Sequence, residues 1–179
     1  MKKTFLALMW CSLILITLTA QAQSDSKKEK IIADSEEAKE EFLKADEAMS
    51  DLFSKAHGYA IFPNVGKGGF GVGGAAGNGT VYEQGKLIGT AKLTQVTVGL
   101  QLGGQSYREV IFFEDKEALD RFKNNRVELS AQVSAVAAAS GASANAKYVE
   151  GVMVFTMQKG GLMYEASVGG QKFKFDKSK

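Results

Sequence analysis

The chain has 179 residues, with one Cys, one His, one Pro and one Trp, and 22 Lys and Arg stand against 20 Asp and Glu for a formal charge of +2. A single Cys excludes an internal disulfide framework and a Cys-rich zinc site, a single His excludes a paired-His metal site, and near-neutral charge removes bulk electrostatics as a route to nucleic acid. With 45% apolar and 23% charged residues, the length suits one folded domain.

Residues 1–22 read as an export leader. Lys2 and Lys3 precede a 14-residue, mostly apolar run from Phe5 to Leu18, and Ala20-Gln21-Ala22 offers a small-x-small cleavage site. That run is shorter than the roughly 20 residues a spanning helix needs. Cys11 follows Trp10, the wrong shape for a lipoprotein site. Cleavage after Ala22 removes the thiol and leaves 157 residues with no net charge (179 − 22; 20 bases, 20 acids), which fits an exported protein, periplasmic or secreted.

Residues 23–30 form a polar lead-in, and a single domain follows over 31–176. From Ile31 to Ala56, the positions Ala38, Phe42, Ala45, Met49, Leu52 and Ala56 recur at steps of four and three. This predicts an amphipathic helix with its acids outside the stripe, although Ser35 could break it. His57-Gly58 ends the helix, and Tyr59–Phe62 is a strand stopped by Pro63-Asn64. Of the 20 glycines, 13 lie between Gly66 and Gly104. There Val96, Val98, Leu100 and Leu102 still alternate with Gln95, Thr97, Gly99 and Gln101, the period of a half-buried strand. Further strands are predicted at Tyr107–Phe113, Val127–Ala135, Val152–Met157, Leu162–Val168 and Lys172–Phe175. A short helix over Asp115–Lys123 turns Ala118, Leu119 and Phe122 inward, and Ser140–Lys147 is a small-residue loop. The expected fold is α+β and β-rich: an antiparallel sandwich or small barrel with an N-terminal amphipathic helix and one short mid-chain helix.

No catalytic, metal or cofactor constellation emerges. Gly66-Lys-Gly68-Gly-Phe-Gly71 matches the dinucleotide glycine pattern, but strand-like sequence follows where a phosphate-binding helix is needed. His57 has no nucleophile to activate, so a capping or solvent role is expected. From His57 onward, 14 bases face 10 acids. Lys67, Lys86 and Lys92 stand in the glycine-rich region, where backbone amides and a lysine can together hold an anionic head group. Phe70, flanked by glycines, is the candidate apolar wedge.

The stretch from Ala56-His-Gly-Tyr-Ala-Ile-Phe-Pro-Asn-Val-Gly-Lys-Gly-Gly-Phe-Gly to Val81-Tyr82 resembles the signature of the SYLF lipid-binding family. The likeness continues through Gly89-Thr-Ala-Lys-Leu-Thr-Gln and Gly103-Gly-Gln-Ser-Tyr-Arg-Glu-Val-Ile-Phe-Phe113, and Lys159-Gly-Gly-Leu is similar to a later family segment. The resemblance implies a non-enzymatic protein that binds anionic lipid, and for eukaryotic adaptor members actin as well. The acidic first helix and the leader depart from the eukaryotic pattern and argue against phosphoinositide specificity and against actin. The expected partner is an anionic lipid or membrane surface met peripherally, through Lys67, Phe70, Lys86 and Lys92. The rival is a self-assembling envelope protein, a homo-oligomer joined through glycine-rich strand edges. A carrier of small apolar ligands is a third reading, should the β layer close around a cavity.

Overall fold

A computed structural model describes residues 25–70, 72–98, 105–125, 129, 135–159, 168 and 170–178. Helix α1 (25–45) and helix α2 (Met49–Lys55) precede three long strands, β1 (Gly58–Phe70), β2 (Val72–Glu83) and β3 (Lys86–Val98). Strand β4 (Gln105–Phe113), helix α3 (Lys116–Lys123), strand β5 (Ala135–Ala137), the one-turn helix α4 (Ala142–Asn145) and strands β6 (Val152–Gln158) and β7 (Gln171–Lys177) complete the order. The strands form one sheet in the order β5-β6-β4-β1-β2-β3-β7, antiparallel except for the parallel β5–β6 pair. The fold is therefore α+β and β-rich. Among the described residues its β layer is an open sheet, so the barrel alternative is corrected.

The sheet nevertheless curls hard. Strands β4 and β7 stand four steps apart, about 19 Å in a flat sheet, further than a Glu and a Gln side chain reach together. Yet Gln171 Nε2 lies 2.9 Å from Glu109 Oε2, and the rings of Phe62 and Phe173 meet at 5.7 Å. Leu129 exchanges backbone hydrogen bonds with Gly170 and Gln171 at the β7 edge, whereas Ala135 opens β5 on the other edge. The five residues between them can span at most about 20 Å.

Glycine on the concave side permits this curl. A Cβ on Gly89 would lie 2.6 Å from the Phe175 ring, and one on Gly79 would lie 2.8 Å from Phe62 while striking the Ile61 carbonyl oxygen. Aromatic rings thus lie directly on the glycine backbone. Gln84 (φ 50°) and Gly85 (φ 76°) make a two-residue β2–β3 turn of the left-handed kind that suits twisted hairpins.

Two apolar layers follow from strand alternation. The concave layer holds Phe62, Val65, Leu93, Ile111, Phe113 and Phe173, capped by Ala118, Leu119 and Phe122 of α3. Asp115 caps α3, accepting from the Ala118 amide at 2.8 Å, and the three inward residues are those the sequence predicts. The outer layer joins Tyr59, Ile61, Val110, Phe112 and Phe155 to Ala38, Phe42 and Met49 of the helices.

Five local expectations change. The helix expected over Ile31–Ala56 divides at 46–48, where the Asp46 side chain accepts from the Ala48 amide at 3.2 Å and its carbonyl from the Met49 amide at 3.0 Å. Ser35 is buried within α1 and breaks nothing. Pro63 does not stop β1: the register shifts around it against both β2 and β4, a bulge that absorbs the missing N–H. In β3 the buried parity is Ala91, Leu93 and Gln95, and Val96 is 77% exposed. Leu93 fixes that parity, and no bulge follows in β3's pairing to return Val96 inward. Residues 25–30, read as a polar lead-in, are helical and exposed. The leader, the Leu162–Val168 strand other than Val168, and the Val127–Ala135 strand other than Leu129 and Ala135 lie outside the described residues.

Candidate functional site

Helices α1 and α2 cover only part of the outer face. Tyr82 at the end of β2 donates to Glu36 at 2.8 Å, and Arg108 of β4 lies 3.3 Å from Glu37, so two acids of the exposed helix surface tie α1 to the sheet. Beyond Tyr82, Thr80 and Leu87, the described residues leave the outer side of β2, β3 and β7 uncovered. Ala76, Asn78, Lys92, Thr94, Val96, Lys172 and Lys174 are all exposed there, alternating with buried Ala75, Gly77, Ala91, Leu93, Gln171 and Phe173.

Strand register decides what this face presents. Lys92 pairs directly with Lys174, and Thr94 pairs with Lys172. Directly opposed residues share a face with Cβ atoms about 5 Å apart, and two like charges so placed repel. Among the described residues no ion pair neutralises Lys92 or Lys174. Asp176, opposite Thr90, is the next outward residue of β7 after Lys174, so one exposed acid borders the pair. The face is thus a row of ammonium groups and hydroxyls, with Val96 toward the glycine-rich end.

The predicted site residues do not converge. Lys92 stands on this outer face. Lys67, half-buried, is paired with Ala75 on the concave side, and Lys86 faces Glu83 beside the β2–β3 turn at the opposite end of the sheet. Phe70 ends β1 opposite Val72, and its side chain lies outside the described residues. Lys172 and Lys174 were not singled out from sequence, although Lys172-Phe173-Lys174-Phe175 alternates at period two and so places both lysines on one side.

His57 has a structural place. Its amide donates to the Phe113 carbonyl, and its ring lies 3.3 Å from Glu83, whose other oxygen is 3.5 Å from Lys123. This network joins the β2–β3 turn to α3.

A second polar group lies inside the curl. Glu109 has no exposed surface, and its Oε2 accepts from Gln171 Nε2 at 2.9 Å. The same amide lies 3.4 Å from the Tyr107 hydroxyl. Thr156 is the cross-strand partner of Glu109, and Glu109 Oε1, Thr156 Oγ1 and Gln171 Oε1 are buried without a hydrogen bond among the described residues. Burial pushes the Glu109 carboxyl up to about 8, against the pull of the Gln171 hydrogen bond. Magnitudes explain the direction: a hydrogen bond to a charged group contributes about 1.5–3 kcal/mol, whereas drying an ion costs several kcal/mol even after relaxation. Burial also raises the Tyr107 phenol well above its ordinary range. Both groups are neutral at pH 7.

Among the described residues no helix is long and apolar enough to cross a membrane. Residues 94–179 match the Ysc84 family, described as "Las17-binding protein actin regulator". The chain is also 32% identical over 136 residues to beta cell expansion factor A of Aeromonas veronii, an alignment covering 70% of this chain and 48% of that protein. It therefore spans about half the length of this curated relative. The family match takes in the second half of β3 and strands β4 to β7, Lys172 and Lys174 included, and with the second likeness extending beyond it, the chain belongs to the Ysc84, or SYLF, family.

Proposed function

We propose that this protein is an exported, non-enzymatic domain that associates peripherally with anionic membrane lipid through the uncovered outer face of β2, β3 and β7. The observation that supports this most is the direct opposition of Lys92 and Lys174 on a stretch of sheet face that none of the described helices covers. An opposed lysine pair is unfavourable alone and becomes favourable when a phosphate group sits between the ammonium groups. Thr94 and Asn78 supply neutral hydrogen-bonding groups beside them, and Val96 offers a small apolar contact. Each lysine near an anionic surface contributes about 1 kcal/mol, so Lys92, Lys172 and Lys174 together make a weak, salt-sensitive association.

Cosedimentation with vesicles tests the reading. The protein is expected to pellet with phosphatidylglycerol-containing vesicles at low salt, to release at high salt and to ignore pure phosphatidylcholine. Absence from the anionic pellet at low salt would remove the proposal. The self-assembly rival meets guarded edges: β5 has three residues, while on β7 the Phe175 amide donates to Asn125 Oδ1 and the Gln171 carbonyl accepts from Leu129. Light scattering that found a closed oligomer indifferent to lipid would favour that rival.

A further inference from the structure

The bond between Glu109 and Gln171 is not needed to build either strand. Strand β4 is already paired on both sides, with β1 and β6, and β7 is already paired with β3. What the bond adds is a tie across the interior, from the sheet's middle to its edge strand. That tie is made by an acid with no exposed surface and one oxygen lacking a partner, among other buried oxygens that also lack one. Of these groups the Thr156 and Tyr107 hydroxyls can donate or accept, whereas Gln171 Oε1 and an ionised Glu109 can only accept. A proton on Glu109 Oε1 turns that oxygen into a donor, and Thr156, directly opposite on β6, carries a hydroxyl that can accept it within a cross-strand pair's reach.

We propose that Glu109 is a proton-operated latch: protonated, it ties edge strand β7 to β4 across the concave interior, and opening of β7 hydrates the carboxyl and releases one proton to solvent. Among the described residues the surroundings leave the proton as the sole variable. Tyr107 is the titratable neighbour on β4 itself, and it stays neutral. Strand β1 presents Phe62 opposite Glu109, β6 presents Thr156, β7 presents Gln171, and α3 turns Ala118, Leu119 and Phe122 to this interior. Lys67 is the nearest charged residue on the same side of β1, but its row is four residues away along β4, about 13 Å. Lys172 and Lys174 point to the other face. The carboxyl held at about 8 in the closed state falls to the ordinary range once hydrated, so the latch weakens as pH rises between those values.

Resting on the lipid reading, the latch also regulates it: β7 carries Lys172 and Lys174, so rising pH loosens half of the basic face. Hydrogen–deuterium exchange of the full protein without lipid tests the latch directly. For wild type, β7 protection, corrected for intrinsic exchange, is expected to fall about tenfold per pH unit between pH 6 and 8 and then level off. In Glu109→Gln it is expected to stay within about twofold across that range. Constant wild-type protection, or an equal fall in Glu109→Gln, would overturn the latch. Should Glu109→Gln fail to fold, Gln171→Met cuts the tie from the other side. Its β7 protection at pH 6 is then expected to be at least about tenfold below wild type, and wild-type protection there would equally overturn the latch. Vesicle binding of the same samples at pH 6 and 8 reads the regulation separately, so failure of the lipid reading leaves the exchange result standing.

Discussion

Glu109 and Asp46 show how two buried acids reach opposite solutions. Around Asp46, burial disfavours the charge, but backbone amides of Ser143, Gly141 and Ala48 outweigh it and hold the carboxyl below its ordinary range. Asp46 Oδ2 accepts from the Ser143 amide at 2.8 Å, so one side chain joins the α1–α2 corner to α4. Asp46→Ala is expected to lower stability by about 1–3 kcal/mol, and urea denaturation measures it. Among the described residues no comparable set of amides surrounds Glu109, and burial holds its carboxyl above the ordinary glutamate range. Its raised value makes the folded state hold a proton that the unfolded chain gives up, so its contribution is full below the ordinary glutamate range and declines as pH rises toward about 8. Asp46 has the opposite sign, contributing above the ordinary aspartate range and losing that on acidification. Glu109→Gln is therefore expected to be more stable than wild type at pH 7 by about 3 kcal/mol and to flatten the loss between pH 5 and 8. Thermal melts across that range would contradict this by showing the two proteins falling together. Sequence hides Glu109 because strand β4 is covered on both sides, so Val110, Ile111, Phe112 and Phe113 are all buried and no alternation marks which residue faces where.

At the scale of elements, the helical stripe of Ala38, Phe42 and Met49, the α3 cap and the positions of most described strands follow from periodicity, a local property that sequence carries directly. The misread points are those where a tertiary contact overrides a local signal. Pro63-Asn64 has turn composition, but buried Phe62 and Val65 on either side hold the strand together through a bulge. Val96 follows an apolar pattern of its own, but Leu93 has already fixed which side is in. Glycine content announces a tightly bent sheet, although not which glycines bear rings. Gly89→Ala tests that assignment: its Cβ meets the Phe175 ring and the Asp176 carbonyl oxygen, so a loss of about 1–3 kcal/mol is expected. Gly66→Ala, with open space around it, is the control expected to change stability far less. Equal losses in calorimetry would show that the curl does not depend on ring-on-glycine contacts.

The molecule as a whole divides its sheet between two tasks. Over β6, β4, β1 and the turn-proximal ends of β2 and β3 the outer face packs α1 and α2, and over the rest of β2, β3 and β7 it is exposed among the described residues. Composition along the chain conceals this division, because Lys92 lies about 80 residues from Lys172 and Lys174 and only the β3–β7 pairing sets them side by side. The candidate site was therefore legible in one member, Lys92, and the residues that surround it depend on topology. The most direct measurement is a vesicle titration of wild type, the double variant Lys92→Glu/Lys174→Glu, and Lys86→Glu at the far end of the sheet. The account predicts that the double variant loses at least about 30-fold in affinity for anionic vesicles, from about 1 kcal/mol per lysine, while Lys86→Glu stays within a few-fold of wild type. Equal binding by wild type and a folded double variant would contradict it.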